Sequence, residues 1–500
     1  ETTILGAAKI TGKLGKGWSL GVLDALTDRE NGRFQSSDAR WSQAVEPMTN
    51  YLVARSTKEY GKASRIGMLF TSTNRRLPSE LSDLRSSAYE FGVDGYTLLH
   101  NKDWIWEWLV GTTRVAGSPE AIDLTQTNSS HRYNRPDADY LKYDPARTSL
   151  SGWGGRAMLG KQTGKWRPNL QVQTYSPGFD VNDVGYMQRV DAINTHAVLW
   201  YENQDAHKYT RETSVWAGKY QQWNYGKDLI ANGIYGNWYV EANNYWYTFG
   251  SAGHSAATLD DRKTRGGPLV RRPSDSYINM GFGSDSRKKL SFEISADHDS
   301  DDESGDMRSV NLYTNYRPTT AIRLSLTPGF SRQHVPTQYV TTIADPNATA
   351  TYGKRYIFAT LEQRTLDIGT RVEWTVNSRL SFQLYAQPFI ASGGYHEYKQ
   401  LARPRSGDYE PLSVARINHS YRLTNAQTFG NPDFNLRSVR GSAVVRWEFR
   451  PGSALYVVWN ENRSDVVPLG DFRLRRDFAA IPDALSKDVF LIKISYWLPI

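Results

Sequence analysis

The chain has 500 residues, with 60 Lys and Arg against 52 Asp and Glu for a net charge of +8, no cysteine, and a mean hydropathy of −0.59. No stretch approaches the roughly 18 consecutive apolar residues of a membrane-spanning helix, and the cations are interspersed with acids rather than gathered into the basic block of a nucleic-acid surface. These features exclude helical membrane spanning and a nucleic-acid partner, the lack of cysteine fits an envelope protein without disulfides, and the 30 Tyr, 16 Trp and 17 Phe demand a structural use.

From the start, the chain repeats one unit: about ten residues alternating apolar and polar, a short turn, a second such run, then a longer polar loop. The first run, 3–12, leads into Gly15-Lys16-Gly17 and Trp18, and further short turns follow at Gly61-Lys62, Asn101-Lys102 and Thr163-Gly164-Lys165. Gly, Asn and Lys suit such turns because tight hairpins need left-handed backbone. Long loops are expected near 30–47, 118–147, 180–190, 259–273, 336–353, 398–435 and 464–487.

The alternation is clearest in the second half. In Leu290-Ser291-Phe292-Glu293-Ile294-Ser295-Ala296-Asp297 one face is apolar and the other carries Ser, Glu and Asp. Ile322, Leu324 and Leu326 oppose Arg323, Ser325 and Thr327; across 366–376, Leu366, Ile368, Val372, Trp374 and Val376 oppose Asp367, Arg371 and Glu373. Leu380, Phe382 and Leu384 oppose Ser381, Gln383 and Tyr385, and Ala443, Val445, Trp447 and Phe449 oppose Ser442, Arg446, Glu448 and Arg450. Turns are placed at Arg317-Pro318-Thr319, Asn377-Ser378-Arg379 and Arg450-Pro451-Gly452-Ser453, and the last run is 488–498.

A soluble sandwich also alternates, but it hides its apolar face and rarely sustains the pattern over so many long strands. A membrane barrel turns that face to lipid and the charged face to a wet lumen. The predicted fold is therefore all-β: a large transmembrane antiparallel β-barrel of about 21 strands in this chain, with short periplasmic turns and long extracellular loops. The tryptophans near the turns, Trp18, Trp104, Trp106, Trp108, Trp374 and Trp447, are expected to form an aromatic girdle at head-group level. The first run starts on the long-loop side and the last ends on the short-turn side, so the strand number is odd. Because single-chain barrels close with an even number, residues 1–500 are expected to be one domain lacking one or three opening strands, roughly 22–26 when complete.

Several segments carry a resemblance. Ile4-Leu5-Gly6-Ala7-Ala8-Lys9, Arg265-Gly266-Gly267-Pro268, Tyr356-Ile357-Phe358-Ala359-Thr360-Leu361-Glu362-Gln363, the 380–388 stretch LSFQLYAQP, Asp433-Phe434-Asn435-Leu436-Arg437-Ser438, Val445-Arg446-Trp447-Glu448-Phe449-Arg450-Pro451-Gly452-Ser453 and Phe490-Leu491-Ile492-Lys493-Ile494-Ser495-Tyr496-Trp497-Leu498 closely resemble an uncharacterised bacterial outer-membrane barrel family. The resemblance implies further strands before Ile4 and an upstream periplasmic module similar to family-9 carbohydrate-binding domains, which this chain lacks. It implies no activity, and the ending Leu498-Pro499-Ile500 departs from the aromatic last residue common in such barrels.

Candidate sites follow from the faces. Arg323, Arg371 and Arg446, with Glu293, Glu373 and Glu448 between them, are the candidate lumen lining; they suit either a path for anions or a wall of mutual ion pairs. Asp297, Asp299 and Asp301 have the first spacings of a calcium loop, but Asp302 replaces its glycine and Arg308 its closing Glu, so a solvated acidic hairpin tip is preferred over calcium or bridged lipopolysaccharide phosphates. His298 and Asp299 point to opposite faces, and His196, His207 and His254 show no ligand spacing. No nucleophile elbow, zinc-protease helix or phosphate loop is present, so no enzyme and no cofactor are expected. Arg265-Gly266-Gly267-Pro268 reads as a tight turn where a loop re-enters the barrel.

The reading is a channel or transporter component of a Gram-negative-type outer membrane. Any plug would come from an upstream fragment, an inward-folded loop or another envelope protein, and the partners are outer-membrane lipid and lipopolysaccharide. A scaffold for a periplasmic module is the alternative, and a membrane-embedded hydrolase the last choice.

Overall fold

The computed structural model describes residues 2–61, 63–417, 420–423 and 427–498. Period-2 sorting of apolar and polar side chains becomes strand throughout, and twenty-two strands belong to one antiparallel sheet. One of them, Tyr409–Pro411, has three residues. The others have nine or more, the shortest being Tyr247–Ser255 and Asp275–Gly283, which leaves twenty-one long strands among the described residues. This all-β antiparallel architecture is the one the alternation predicts, and the long-strand count agrees with it.

Sequential strands pair as hairpins. Ile4–Gly15 runs against Trp18–Thr27 with Ile10 opposite Val22, and the turn between them has Gly15, Lys16 and Gly17 all at positive φ, the left-handed backbone a two-residue hairpin turn requires. Similar short connections join Arg85–Leu99 to Trp104–Gly117, Lys354–Asn377 to Leu380–Leu401, and Phe434–Arg450 to Ser453–Val467. In the turn at Gly61-Lys62, Lys62 lies outside the described residues, as do Pro499 and Ile500. The expected turn at Arg317-Pro318-Thr319 lies slightly later, because strand Asp306–Thr319 includes those residues and hydrogen-bonded pairing resumes at Ile322.

Three of the expected long loops are corrected. Within 30–47, Glu30–Gln35 and Arg40–Glu46 form a separate two-stranded hairpin, with Phe34 stacked on Trp41. The first half of 336–353 is strand: Ile322–Ala344 and Lys354–Asn377 run to 23 and 24 residues and stay paired past Val335 through two register shifts. Within 398–435, strand Leu380–Leu401 continues to its end and a three-stranded sheet, Val414–Ile417, Ser420–Leu423 and Thr428–Gly430, follows; residues 418–419 and 424–426 lie outside the description. That small sheet has its own apolar core, in which Tyr421 and Phe429 pack with Tyr398, Ile357 and Ala359. The 464–487 segment contains the short helix Leu474–Ala479.

The chain divides into two compact units. One comprises Glu1–Glu202, Trp216–Ile234 and Ala257–Arg272, the other Asn203–Val215, Tyr235–Ala256 and Pro273–Ile500. In the first, Ile4–Gly15 has Trp18–Thr27 as its strand partner and is exposed at every residue. In the second, Leu485–Ser495 pairs with Ser453–Val467 and is likewise exposed throughout.

Candidate functional site

In the second unit the register of the ladders sorts the two faces of the sheet. Ile322 lies opposite Trp374, Leu324 opposite Val372, and Phe330 opposite Leu366, while Arg323 lies opposite Glu373 and Ser325 opposite Arg371. The next ladder continues both rows, with Trp374 beside Phe382 and Val372 beside Leu384 on one face, and Glu373 beside Gln383 and Arg371 beside Tyr385 on the other. The apolar rows are open to the surroundings: Leu326 and Phe330 are each 45% exposed, Trp374 46% and Val310 52%.

On the charged face the sequence-predicted residues fall into three groups. Arg323 Nη1 is 3.5 Å from Glu373 Oε2, and Arg371 Nη1 is 3.9 Å from the other oxygen of the same carboxylate, with the Arg371 guanidinium 5.6 Å from the Tyr385 ring. Arg446 donates to Glu448 at 2.8 Å and to the Tyr456 hydroxyl at 3.3 Å. Glu293 stands apart from both groups and accepts from the Tyr247 hydroxyl at 2.6 Å. Arg450 turns instead to the Tyr496 hydroxyl. Such half-exposed pairs contribute about 0–1 kcal/mol each, so their use is to hold charge in place rather than to stabilise the sheet.

The six tryptophans lie toward the short-turn ends of their own strands. Trp106 and Trp108 share a face with ring centroids 6.3 Å apart, and Lys58 Nζ sits 4.9 Å above the Trp18 ring. Trp104 joins their face by alternation, while Trp374 and Trp447 each lie on the apolar face of their ladders.

The first unit holds the arrangement that the sequence did not reveal. On the face of Trp104–Gly117 opposite the tryptophan stripe, segments 118–148 and 176–191 pack down on the strands, and 256–272 packs against those two segments. Helix Pro119–Thr127 begins with Pro at its first turn and Ser118 as N-cap, whose hydroxyl accepts from Ala121 N. It sets Ile122 into a cluster with Tyr133, Ala138 and Leu141 from the following loop and Ala88, Val115 and Leu150 from three strands. Segment 176–191 lies against the sheet because glycines leave it room: a Cβ on Gly152 would meet Phe179 N at 2.1 Å, and one on Gly178 would meet Ser151 O at 2.2 Å. Asp180 N donates to the Thr113 hydroxyl, and the carboxylates of Asp180 and Asp183 are held by Arg85, with Arg75 also on Asp183 at 2.6 Å.

Between these segments lies a buried ion network. Arg135, almost wholly buried, donates to Asp191 at 2.8 Å and Asp261 at 3.0 Å, and both carboxylates are inaccessible. Asp191 also accepts from the Tyr140 hydroxyl at 2.7 Å and from Tyr225 N at 2.9 Å. Arg189 chelates Asp261 through both oxygens, while Arg262 reaches the carbonyls of Ser129 and Val190. Burial opposes ionisation of Asp261, but Arg189, Arg135 and Arg262 together hold its carboxyl below the usual range. Asp191 is pushed up by burial, against the Tyr140 hydrogen bond and Arg135. Arg262 is pushed down to about 10 by burial and by Arg189. Burial drives the His131 imidazole down to about 4, with Asp180 opposing and Arg262 and Arg85 assisting. Arg265-Gly266-Gly267-Pro268 belongs here: Gly266 has φ of +101°, and a Cβ on it would meet the Asn134 amide at 2.6 Å, so the tight turn expected from sequence is also a close contact between two loops.

The acidic run is a strand hairpin rather than a loop. Leu290–Asp301 pairs with Asp306–Thr319, and Asp301 caps the turn by accepting from the N–H groups of Glu303 and Gly305. Asp297 accepts from the Asn279 amide and the Ser309 hydroxyl, and strand spacing keeps Asp297, Asp299 and Asp301 two residues apart along one face. Among the described residues no group of three or more His, Asp or Glu is placed to hold a metal ion. His298 Nδ1 faces Asp306 at 3.6 Å.

Fold and faces together define a large all-β protein on an antiparallel sheet, with apolar and charged side chains sorted to opposite faces in the second unit and long connections folded back onto one face in the first. The chain belongs to the family described as a domain of unknown function, DUF5916, whose model matches residues 1–98 and 113–500. No curated protein matches it. Among solved structures it is similar to the iron transporter FrpB from Neisseria meningitidis, F5-1 variant, at 9% identity over 91% of this chain and 74% of that one, with a TM-score of 0.46. It is also similar to the outer membrane transporter YddB from Escherichia coli, at 9% identity over 91% and 62% with a TM-score of 0.37, and to the anion-selective porin from Comamonas acidovorans, at 10% over 66% and 90% with a TM-score of 0.29.

Proposed function

We propose that the chain forms the wall of a Gram-negative outer-membrane β-barrel and that solutes pass along its charged face. The observation that carries this reading is the sorting of the two faces in the second unit. From Leu366 to Trp374 the apolar row covers nine residues of one strand, within the roughly 9–11 residues that a tilted membrane-spanning strand needs. Behind it, Arg323 and Arg371 meet Glu373, and Arg446 meets Glu448, so paired charge lies on the opposite face, an arrangement that suits a wet face. Trp374 and Trp447 mark the short-turn margin of the band, where an indole N–H finds head groups. The loops on the face of the first unit opposite its tryptophans act in this reading as a constriction held by the chain itself.

The test is conductance of the intact protein in planar bilayers. Stepwise currents are expected, larger when residues 131–141 are replaced by a short Gly-Ser linker. A protein that inserts but never conducts, with or without that replacement, refutes passage along the charged face.

A further inference from the structure

Above the apolar band of the second unit, three arginines lie directly opposite one another on adjacent strands. Arg308 pairs with Arg332, and Arg332 pairs with Arg364. His298 extends the row on the other side of Arg308. Like charges in direct cross-strand register destabilise a ladder, and strands about 4.8 Å apart place the three guanidinium stems within about 10 Å of one another. Two carboxylates temper the row without neutralising it: Asp306 is 3.1 Å from Arg308 and also 3.6 Å from His298, while Glu362 is 3.7 Å from Arg332 and 2.6 Å from His334. Arg364 is exposed and has no ion-pair partner among the described residues. Arg308 and Arg332 keep 70% and 57% of their side-chain surface open.

The face on which the row lies decides what it meets. Two residues from each arginine toward the short turns lie Val310, Phe330 and Leu366 on the same side; Val310 and Phe330 are exposed, with Phe472 packed edge-on against Phe330 at 6.2 Å, whereas Leu366 is half-buried beside the fully buried Ile390. A free anion would satisfy the guanidiniums and leave Val310 and Phe330 bare. An amphiphile with phosphate on its head group and hydrocarbon below covers both.

We infer that Arg308, Arg332 and Arg364 form a binding site for the phosphate groups of an anionic lipid whose acyl chains lie on the exposed Val310 and Phe330. The site rests on the membrane reading above and adds a ligand class to its long-loop side. Guanidinium forks suit phosphate because each offers parallel donors, and hydrogen bonds of this charge-assisted kind are the strong ones.

The experiment reconstitutes the full chain into phosphatidylcholine vesicles containing diphosphoryl lipid A or its dephosphorylated form, re-extracts it in mild detergent, and measures retained lipid by native mass spectrometry. Expected are retention of the diphosphoryl form, little retention of the dephosphorylated form, and loss of about tenfold or more of the retained lipid in R308Q/R332Q/R364Q. Because three substitutions can disturb the strands, E362Q provides the opposite change: it frees Arg332 and should raise retention. Inorganic phosphate in excess should not release the lipid, which separates a lipid site from one for free phosphate. Retention that ignores the phosphates, or that is unchanged in the triple variant, overturns the site alone. Failure of the native chain to insert into any vesicle overturns the membrane reading itself.

Discussion

Replacing Arg135 by methionine keeps an apolar stem and removes the guanidinium and its charge, leaving Asp191 and Asp261 buried with fewer cations than they need. Both carboxylates are inaccessible, and Arg135 is their shared partner at 2.8 and 3.0 Å. Breaking a buried pair from one side costs about 3–5 kcal/mol because a charge is left uncompensated. Asp261 keeps Arg189 at 2.8 Å, so the lower end applies to it; Asp191 keeps only the Tyr140 hydroxyl and a backbone N–H, so it carries most of the loss. At about 1.4 kcal/mol per factor of ten, the loops should open roughly a hundredfold to a few thousandfold more often. Amide hydrogen exchange reads this directly: residues 129–141, 189–191 and 260–265 should lose protection, while strands remote from the loops keep theirs. Adding D191N to R135M should recover much of the loss, because the uncompensated charge then disappears. Unchanged protection in R135M, or an equal loss along every strand, would refute the claim that this network holds the loops down.

Three further outcomes are expected. Because His131 is kept neutral with its pKa pushed down to about 4, the unfolded loop takes up a proton first as pH falls, so stability present above about 6.5 should decline toward pH 4; in H131Q the slope over that window should flatten, as followed by exchange or protease sensitivity. G152A places a Cβ 2.1 Å from Phe179 N and should displace segment 176–191 at a cost of about 1–3 kcal/mol, seen as new cleavage within 176–191 under limited proteolysis. L384R puts a charge on the apolar row at a cost of about 2–4 kcal/mol if that row meets lipid, whereas Q383R, beside Glu373 on the other face, should be nearly neutral. Folding titrations into bilayers compare the two, and equal costs would count against the assignment of faces.

The strands were legible where alternation was steep. Ile322 to Thr327 and 366–376 sort into faces from sequence alone because period 2 is a local property. The far ends of the long strands were not, since Pro336, Thr337, Gln338, Thr341 and Thr342 break the alternation and read as loop; the ladder of 338–344 with 354–359 is set by pairing across the sheet. The buried network was hidden for a related reason. Arg135 lies 56 residues from Asp191 and 126 from Asp261, so no spacing motif connects them, and burial of charged residues runs against composition. The signals that were available are Leu269-Val270, a buried apolar pair inside a polar loop, and the glycines at 152, 154 and 178, which leave room for backbone to lie on backbone. Of the predicted lumen residues, Arg323, Arg371 and Glu373 do form one group, and Arg446 with Glu448 another, whereas Glu293 binds Tyr247.

On the membrane reading proposed above, the length of Lys354–Asn377 and its two neighbours sets what a visitor from outside would encounter. If the stretch from Leu366 to Trp374 occupies the hydrocarbon, the twelve residues from Lys354 to Thr365 stand outside it as paired strand, roughly 40 Å of stiff ribbon. That is a parapet rather than a fringe of loops, one that would lift the small Tyr421–Phe429 core clear of the lipid and into the sugar layer around it.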